Sequence, residues 1–215
     1  MDSFYTIALD LIEGFVVNCN LFFITLLIAI PLGLIVTLGT MSKFSPLRYV
    51  LRTFVWIIRG TPLMLQLFVV LYAPGLLFDM PMKERLLAAY IAFAINYAAY
   101  FAEIYRSGIE SMPIGQYEAA EVLGYSKAQT FFTIILPQVI KRILPSVTNE
   151  IITLVKDTSL AFAIAQAEMF TIAKQIAASE TSMVPLALAG VFYYIFNLIV
   201  ATIMENVEKA FSYYR

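Results

Sequence analysis

Asn96, Tyr97, Tyr100, Glu103 and Ser107 bring an amide, two phenols, a carboxylate and a hydroxyl into an otherwise apolar run. On a helix, Asn96, Tyr100, Glu103 and Ser107 share one face, with Tyr97 beside them. An ionisable group within an apolar helix is expensive to keep there and marks a functional position with a partner. Two readings of Glu103 compete: it lines a site for a polar substrate, or it pairs with Arg106 or Arg59 and locks two helices together. A second polar set, Lys156-Asp157-Thr158-Ser159-Leu160, interrupts another apolar stretch. A helix that stops there and restarts after Thr158-Ser159 presents free N–H groups and a positive dipole end, which suit a carboxylate. The plainer alternative is a surface loop with Ser159 as a helix N-cap. Glu103 and the 158–160 backbone together would hold opposite ends of a zwitterion, and the carboxylate would favour a cationic side chain on it.

The composition removes most other chemistry. There is no His and one Cys, Cys19, which leaves no basis for a zinc or haem site, a His-based triad or an intramolecular disulfide. Cys19 lies in an apolar run and reads as a small buried hydrophobe. A net charge of −1 offers nothing to nucleic acid. None of the nine Gly residues is followed by Lys-Ser or Lys-Thr, so no phosphate-binding P-loop is present.

The elements that must position these groups are membrane helices. Of the 215 residues, 61% are hydrophobic and 13% charged, with a mean hydropathy of +0.82. A soluble domain carries about 25% charged residues, so part of this chain's solvent is lipid. Uncharged stretches predict an all-α bundle of about five transmembrane helices: residues 18–40, 55–78, 86–108, 144–167 and 181–204. The second is kinked or broken around Arg59, Thr61 and Pro62, since Pro62 removes a helix hydrogen bond. These three are assigned to gating or structure. The fourth breaks near Asp157-Thr158-Ser159. Residues 1–17 read as an amphipathic segment with Phe4, Ile7, Leu11 and Phe15 on one stripe, and their lack of a basic start argues against a cleaved signal peptide. Residues 18–208 form the transmembrane domain and 209–215 a short tail. Lys43, Arg48, Arg52, Arg106, Lys127, Lys141, Arg142, Lys209 and Arg215 fall on one side of these spans; Lys83, Arg85, Lys156 and Lys174 fall on the other. The positive-inside rule then puts the N-terminus outside and the C-terminus in the cytoplasm.

On that count the polar stretch EAAEVLGYSKAQTFFTIILP, residues 118–137, faces the cytoplasm. Pro113 and Gly115 open it as turn residues, and a short helix, a turn at Gly124 and a second helix follow. Tyr117, Ala120, Val122 and Leu123 are expected on one side of the first helix, Glu118 and Glu121 on the other. The segment from 112 to 137 is long for a plain connection and suits insertion into a partner's groove.

Glu118-Ala119-Ala120, Gly124, Ile134 and Leu136-Pro137 resemble the EAA signature of the permease subunits of binding-protein-dependent ABC importers. Arg59-Gly60-Thr61-Pro62, the Asn96–Arg106 run and Lys156-Asp157-Thr158-Ser159-Leu160 resemble motifs of the polar amino-acid branch of that family; Ser107 departs from it, where many relatives carry Gly or Ala. The resemblance spans residues 18–208. It implies the type I importer fold and alternating access driven by two separate ATPase subunits, which carry the ATP and magnesium. It further implies coupling through Glu118, Ala119, Ala120 and Gly124, a second permease (a homodimer or a heterodimer), an extracytoplasmic amino-acid-binding protein, an amino-acid substrate and a cell-membrane location. Asn96, Tyr97, Tyr100, Glu103, Asp157, Thr158, Ser159 and Leu160 are the candidate substrate residues. The competing classes are an ion-coupled transporter, for which no inverted repeat is found, and a passive channel, which needs no docking element.

Overall fold

The computed structural model describes residues 2–211; the tail at 212–215 lies outside the described residues. The described residues are mostly helical, and no strand occurs among them. Its helices are α1 (Asp2–Thr40), α2 (Ser45–Gly60), α3 (Leu63–Phe78), α4 (Arg85–Glu110), α5 (Ile114–Val122), α6 (Lys127–Gln129), α7 (Leu136–Asp157), α8 (Met169–Ser179) and α9 (Val184–Ala210). A π-helical stretch, Thr130–Ile135, joins α6 to α7, and a 3-10 stretch, Thr158–Ile164, follows α7.

Four helical units are long and apolar enough to cross a membrane: Phe4–Thr40, Arg85–Glu110, Lys127–Ile164 and Val184–Ala210. The pair α2–α3 makes a fifth, bent by 112°. The bend falls where Pro62 stands, and of the kink or break expected from sequence it is the break. Several other boundaries differ too. Residues 1–17 do not form a separate segment: from Asp2 the helix continues unbroken to Thr40, with Pro31 inside it. Ile7 and Leu11 are buried as their stripe requires, but Phe4 is exposed. The fourth span begins well before residue 144, because Pro137 occupies the first turn of α7, where its missing N–H goes unnoticed. Helix α8 has no counterpart among the expected spans.

The centre of the bundle is α4 against α1. Ala88, Ala89, Ala92, Ala98, Ala99 and Ala102 are buried along α4, and small residues let helix backbones approach closely in lipid, where packing rather than water exclusion drives association. Gly33 of α1 meets them: a Cβ there would lie 2.8 Å from the Phe101 Cβ and 3.1 Å from the Ala98 carbonyl. Thr37 completes the contact by donating to the Ala102 carbonyl at 3.0 Å. Phe93, Tyr97 and Phe101 form the bulky side of the same core with Leu67, Leu154 and Val155.

Candidate functional site

The break between α2 and α3 strips backbone groups of their helical partners, and in a membrane each needs a replacement. Gln66, nearly buried on α3, supplies it. Its amide nitrogen reaches the Ile58 carbonyl at 2.8 Å, the Thr61 carbonyl at 3.1 Å and the Thr61 hydroxyl at 2.9 Å. Its oxygen accepts from the Asn96 amide at 3.0 Å, which fastens the elbow to α4. Asn96 thus serves the elbow as well as the polar stripe. Gln66 was not singled out from sequence, although a lone Gln in an apolar span four residues after a Pro is a readable signal.

Above the elbow lies a cavity of about 340 Å³, within the usual range for small-molecule sites. Thr61, Pro62 and Leu63 line it from the break; Asn96, Tyr97 and Tyr100 line it from α4; Glu150, Thr153, Asp157 and Leu160 line it from α7 and the turn beyond. The buried Tyr97 hydroxyl donates to the Asp157 carboxylate at 2.8 Å. Glu150 and Asp157 lie two helical turns apart with Thr153 between them, so one face of α7 presents two carboxylates and a hydroxyl. Among the described residues neither carboxylate makes an ion pair with a Lys or Arg. The cavity therefore offers two carboxylates without an ion-pair partner beside hydrogen-bonding groups, a setting for a small cation that also carries polar groups.

Part of the expected site falls elsewhere. Glu103 does not line this cavity. One turn further along α4 it comes level with the end of α2, where the Arg106 guanidinium donates to it at 3.1 and 2.5 Å and Arg59 stands 3.6 Å away. Arg106 also pairs with Glu110, and Arg52 reaches Glu110 at 3.7 Å. Of the two readings of Glu103, the ion pair is the one that the geometry shows.

Thr158 is also turned away. Its hydroxyl donates to the Val155 carbonyl at 2.8 Å and accepts from Asn18 at 3.1 Å, fully buried. Ser159 donates to the Lys156 carbonyl at 2.8 Å and caps nothing. The chain does not restart as a helix after Thr158-Ser159. It tightens into the 3-10 stretch, turns at Ala165 (φ 54°) and restarts only at α8. That N-terminus is already occupied: the buried Glu168 carboxylate accepts from the Phe170 and Thr171 N–H groups at 2.8 and 2.7 Å. Asn18 ties the arrangement together, donating to Glu168 at 3.2 Å and to Tyr193 at 2.9 Å and accepting from the Met169 N–H at 3.0 Å. Glu150, Thr153, Asn18 and Glu168 were all missed as candidates; the two acids were visible as charges inside apolar stretches.

At the opposite end of α7 the stretch 112–137 folds as a helix, a turn and a second helix. Gly124 (φ 81°) makes the turn, with Tyr125 N–H donating to the Ala120 carbonyl at 3.0 Å. Ser126 and Gln129 cap the next helix reciprocally. The Gln116 and Gln138 amides pair with each other at 2.9 and 2.8 Å, which fastens α5 to α7, and Arg142 donates to the Ser111 carbonyl at 2.9 Å, which ties α7 to the end of α4. Ala120 is buried, whereas Glu118 and Ala119 are exposed. Val122 and Leu123, expected beside Ala120, point outward at 87% and 74% exposure, because the turn at Gly124 swings that end of α5 off the bundle.

Residues 29–213 match the family described as binding-protein-dependent transport system inner membrane component. Among curated proteins, the L-cystine transport system permease protein TcyB of Bacillus subtilis is 38% identical over 186 residues, covering 85% of this chain and 78% of that protein. The arginine transport system permease protein ArtQ of Bacillus subtilis is 33% identical over 200 residues, covering 93% and 91%. Among solved structures, the crystal structure of an amino acid ABC transporter with histidines superposes with a TM-score of 0.88 at 31% identity, covering 97% of each chain. An inward-facing structure of the MetNI methionine ABC transporter shares the fold, with a TM-score of 0.70 at 16% identity over 99% of each chain. The chain belongs to this family of inner-membrane permease components of ABC importers, within its amino-acid branch.

Proposed function

We propose that this chain forms the translocation pathway of an ATP-driven amino-acid importer and that the cavity above the elbow holds the amino acid. The observation that carries the reading is the pair Glu150 and Asp157, two carboxylates facing one small cavity with no Lys or Arg in ion-pair contact among the described residues, Arg59 acting on Glu150 only at longer range. Charge held at membrane depth without a partner is strongly unfavourable, and a bound cation relieves it. The substrate class is accordingly a basic amino acid, its side-chain cation against Glu150 and Asp157 and its polar backbone groups within reach of Asn96, Tyr97, Tyr100 and Thr61. Glu103 stays outside the contact set.

Energy enters from a separate ATPase through residues 112–137. The outward-pointing Ile114, Val122, Leu123 and Phe132, with Glu118 and Ala119 between them, form an apolar docking surface at the cytoplasmic end of α7. Nucleotide-driven movement of two ATPase subunits would reach the carboxylates along α7 and switch the cavity between outward and inward access. A second permease copy and an extracytoplasmic binding protein complete the assembly, with the N-terminus outside and the C-terminus in the cytoplasm.

The test is ATP hydrolysis by the complex reconstituted in proteoliposomes with its ATPase and binding protein. Arginine should stimulate the parent complex, and Glu150→Gln with Asp157→Asn should abolish that stimulation while leaving basal hydrolysis. Undiminished arginine stimulation in the double variant would refute the assignment.

A further inference from the structure

Resting on the cavity assignment above, we propose that Arg59 is the inner gate of this permease, a fixed positive charge held by Glu103 across the route from the substrate cavity to the cytoplasm. The polar groups of the two facing helices trace that route. On α7, Asp157, Thr153, Glu150, Ser146 and Arg142 follow one another at helical spacing; on α4, Asn96, Tyr100, Glu103, Ser107 and Ser111 do the same. The upper members of both rows line the cavity of about 340 Å³, and the lower members, from Glu103 through Ser107 and Ser111 to Arg142 and Ser146, line a second cleft of about 410 Å³. Arg59 lines that second cleft but not the first.

Arg59 stands at the boundary. Its guanidinium lies over the Tyr100 ring at 5.3 Å to the centroid, and Tyr100 is itself a wall of the upper cavity. It is within electrostatic reach of Glu150. Beside it, Arg52, Arg59 and Arg106 make their ion pairs with Glu103 and Glu110. Arg106 holds both carboxylates by hydrogen bonds and Arg52 donates to the Thr40 carbonyl at 3.2 Å, while Arg59 rests on the 3.6 Å contact with Glu103 and the Tyr100 ring, so Arg59 is the cation of the group without a hydrogen-bonded tether among the described residues. It is carried on the last turn of α2, next to the 112° elbow whose Thr61 and Pro62 line the cavity. A guanidinium there repels a cationic cargo below the cavity, and any movement of the elbow shifts it. Opening then means parting Arg59 from Glu103 and carrying it off the groove.

The experiment uses the whole complex in vesicles loaded with radiolabelled arginine, without ATP. Leakage through Arg59→Met should rise about tenfold, the change in rate expected when a barrier loses one partly exposed charge contact. Arg59→Lys should stay tight. To separate charge from assembly, the same measurement is made on Arg59→Cys in a Cys19→Ser background after the protein is folded and reconstituted. Treatment with the cationic aminoethyl methanethiosulfonate should close the leak, and the neutral methyl methanethiosulfonate should leave it open. A complex equally tight with all of these side chains, or one closed equally well by both reagents, would overturn the gate. Arginine binding to the same samples keeps the two readings apart: Glu150→Gln with Asp157→Asn removes binding if the cavity is the site, whereas the Arg59 variants keep it within about threefold, since Arg59 does not line the cavity.

Discussion

Tyr97 shows how one side chain serves both packing and chemistry. Its ring is stacked on Phe93 and tilted against Phe101, with centroids 6.4 Å from each, and its hydroxyl holds Asp157 at 2.8 Å. Tyr97→Phe keeps the ring contacts and removes only the hydroxyl. A hydrogen bond to a charged group contributes about 1.5–3 kcal/mol, so a freed Asp157 should weaken arginine binding by about tenfold, with little change in the melting temperature of the complex. Isothermal titration beside a thermal melt separates the two effects. Glu168→Ala should do the reverse. It removes the N-cap of α8 and leaves the Phe170 and Thr171 N–H groups without their acceptor; a lost cap costs about 0.5–2 kcal/mol, so the melting temperature should fall while arginine binding is retained. At this scale the sequence exposed the charges and, for Glu103, its arginine partners, but not the partners of Asp157 and Glu168. Glu103, Asp157 and Glu168 all stand out in apolar surroundings. Whether an acid meets two arginines, a tyrosine hydroxyl or the N–H groups of its own helix depends on which turns of distant helices come level, and no local pattern carries that.

Among the elements, the long uninterrupted helices were legible from hydropathy alone, and so was the weakness at Pro62. The sharpness of the α2–α3 elbow was not, because it depends on Gln66 replacing the lost backbone bonds from another turn. The segment after α7 was misread for a related reason. Thr158 and Ser159 suggest a helix start, but each satisfies its hydroxyl on a preceding carbonyl, which lets the chain tighten instead of breaking. The α1–α4 pairing makes a separate prediction. Gly33→Val would press new methyl groups into Phe101 and the Ala98 carbonyl. Overpacking of that kind costs about 1–3 kcal/mol. Gly190→Ala on α9, where nothing lies within 4 Å, is the matched control. The Gly33 variant should melt lower in detergent and the Gly190 variant should not.

For the molecule as a whole, the decisive arrangement is that one helical unit, Lys127–Ile164, joins the proposed docking segment to the two carboxylates that face the cavity. The Gln116–Gln138 pair fixes α5 to that unit, so a push on α5 would be delivered to α7 rather than absorbed in a loop. Gly124 sets the angle at which α5 meets it. Its φ of 81° lies in the left-handed region, which costs a residue with a Cβ about 1–2 kcal/mol, and more when the side chain is β-branched. Gly124→Val should therefore reorient α5 without disturbing the spans, whose packing lies elsewhere. Gly115→Ala in the same segment meets nothing within 4 Å and serves as the control. Co-purification of the ATPase with the permease should be lost or reduced for Gly124→Val and kept for Gly115→Ala, while both membrane subunits melt like the parent in isolation. Should the Gly124 variant retain its ATPase but lose arginine stimulation, α5 transmits movement beyond merely holding the motor in place. Full retention of both would mean that energy enters this bundle by some route other than residues 112–137.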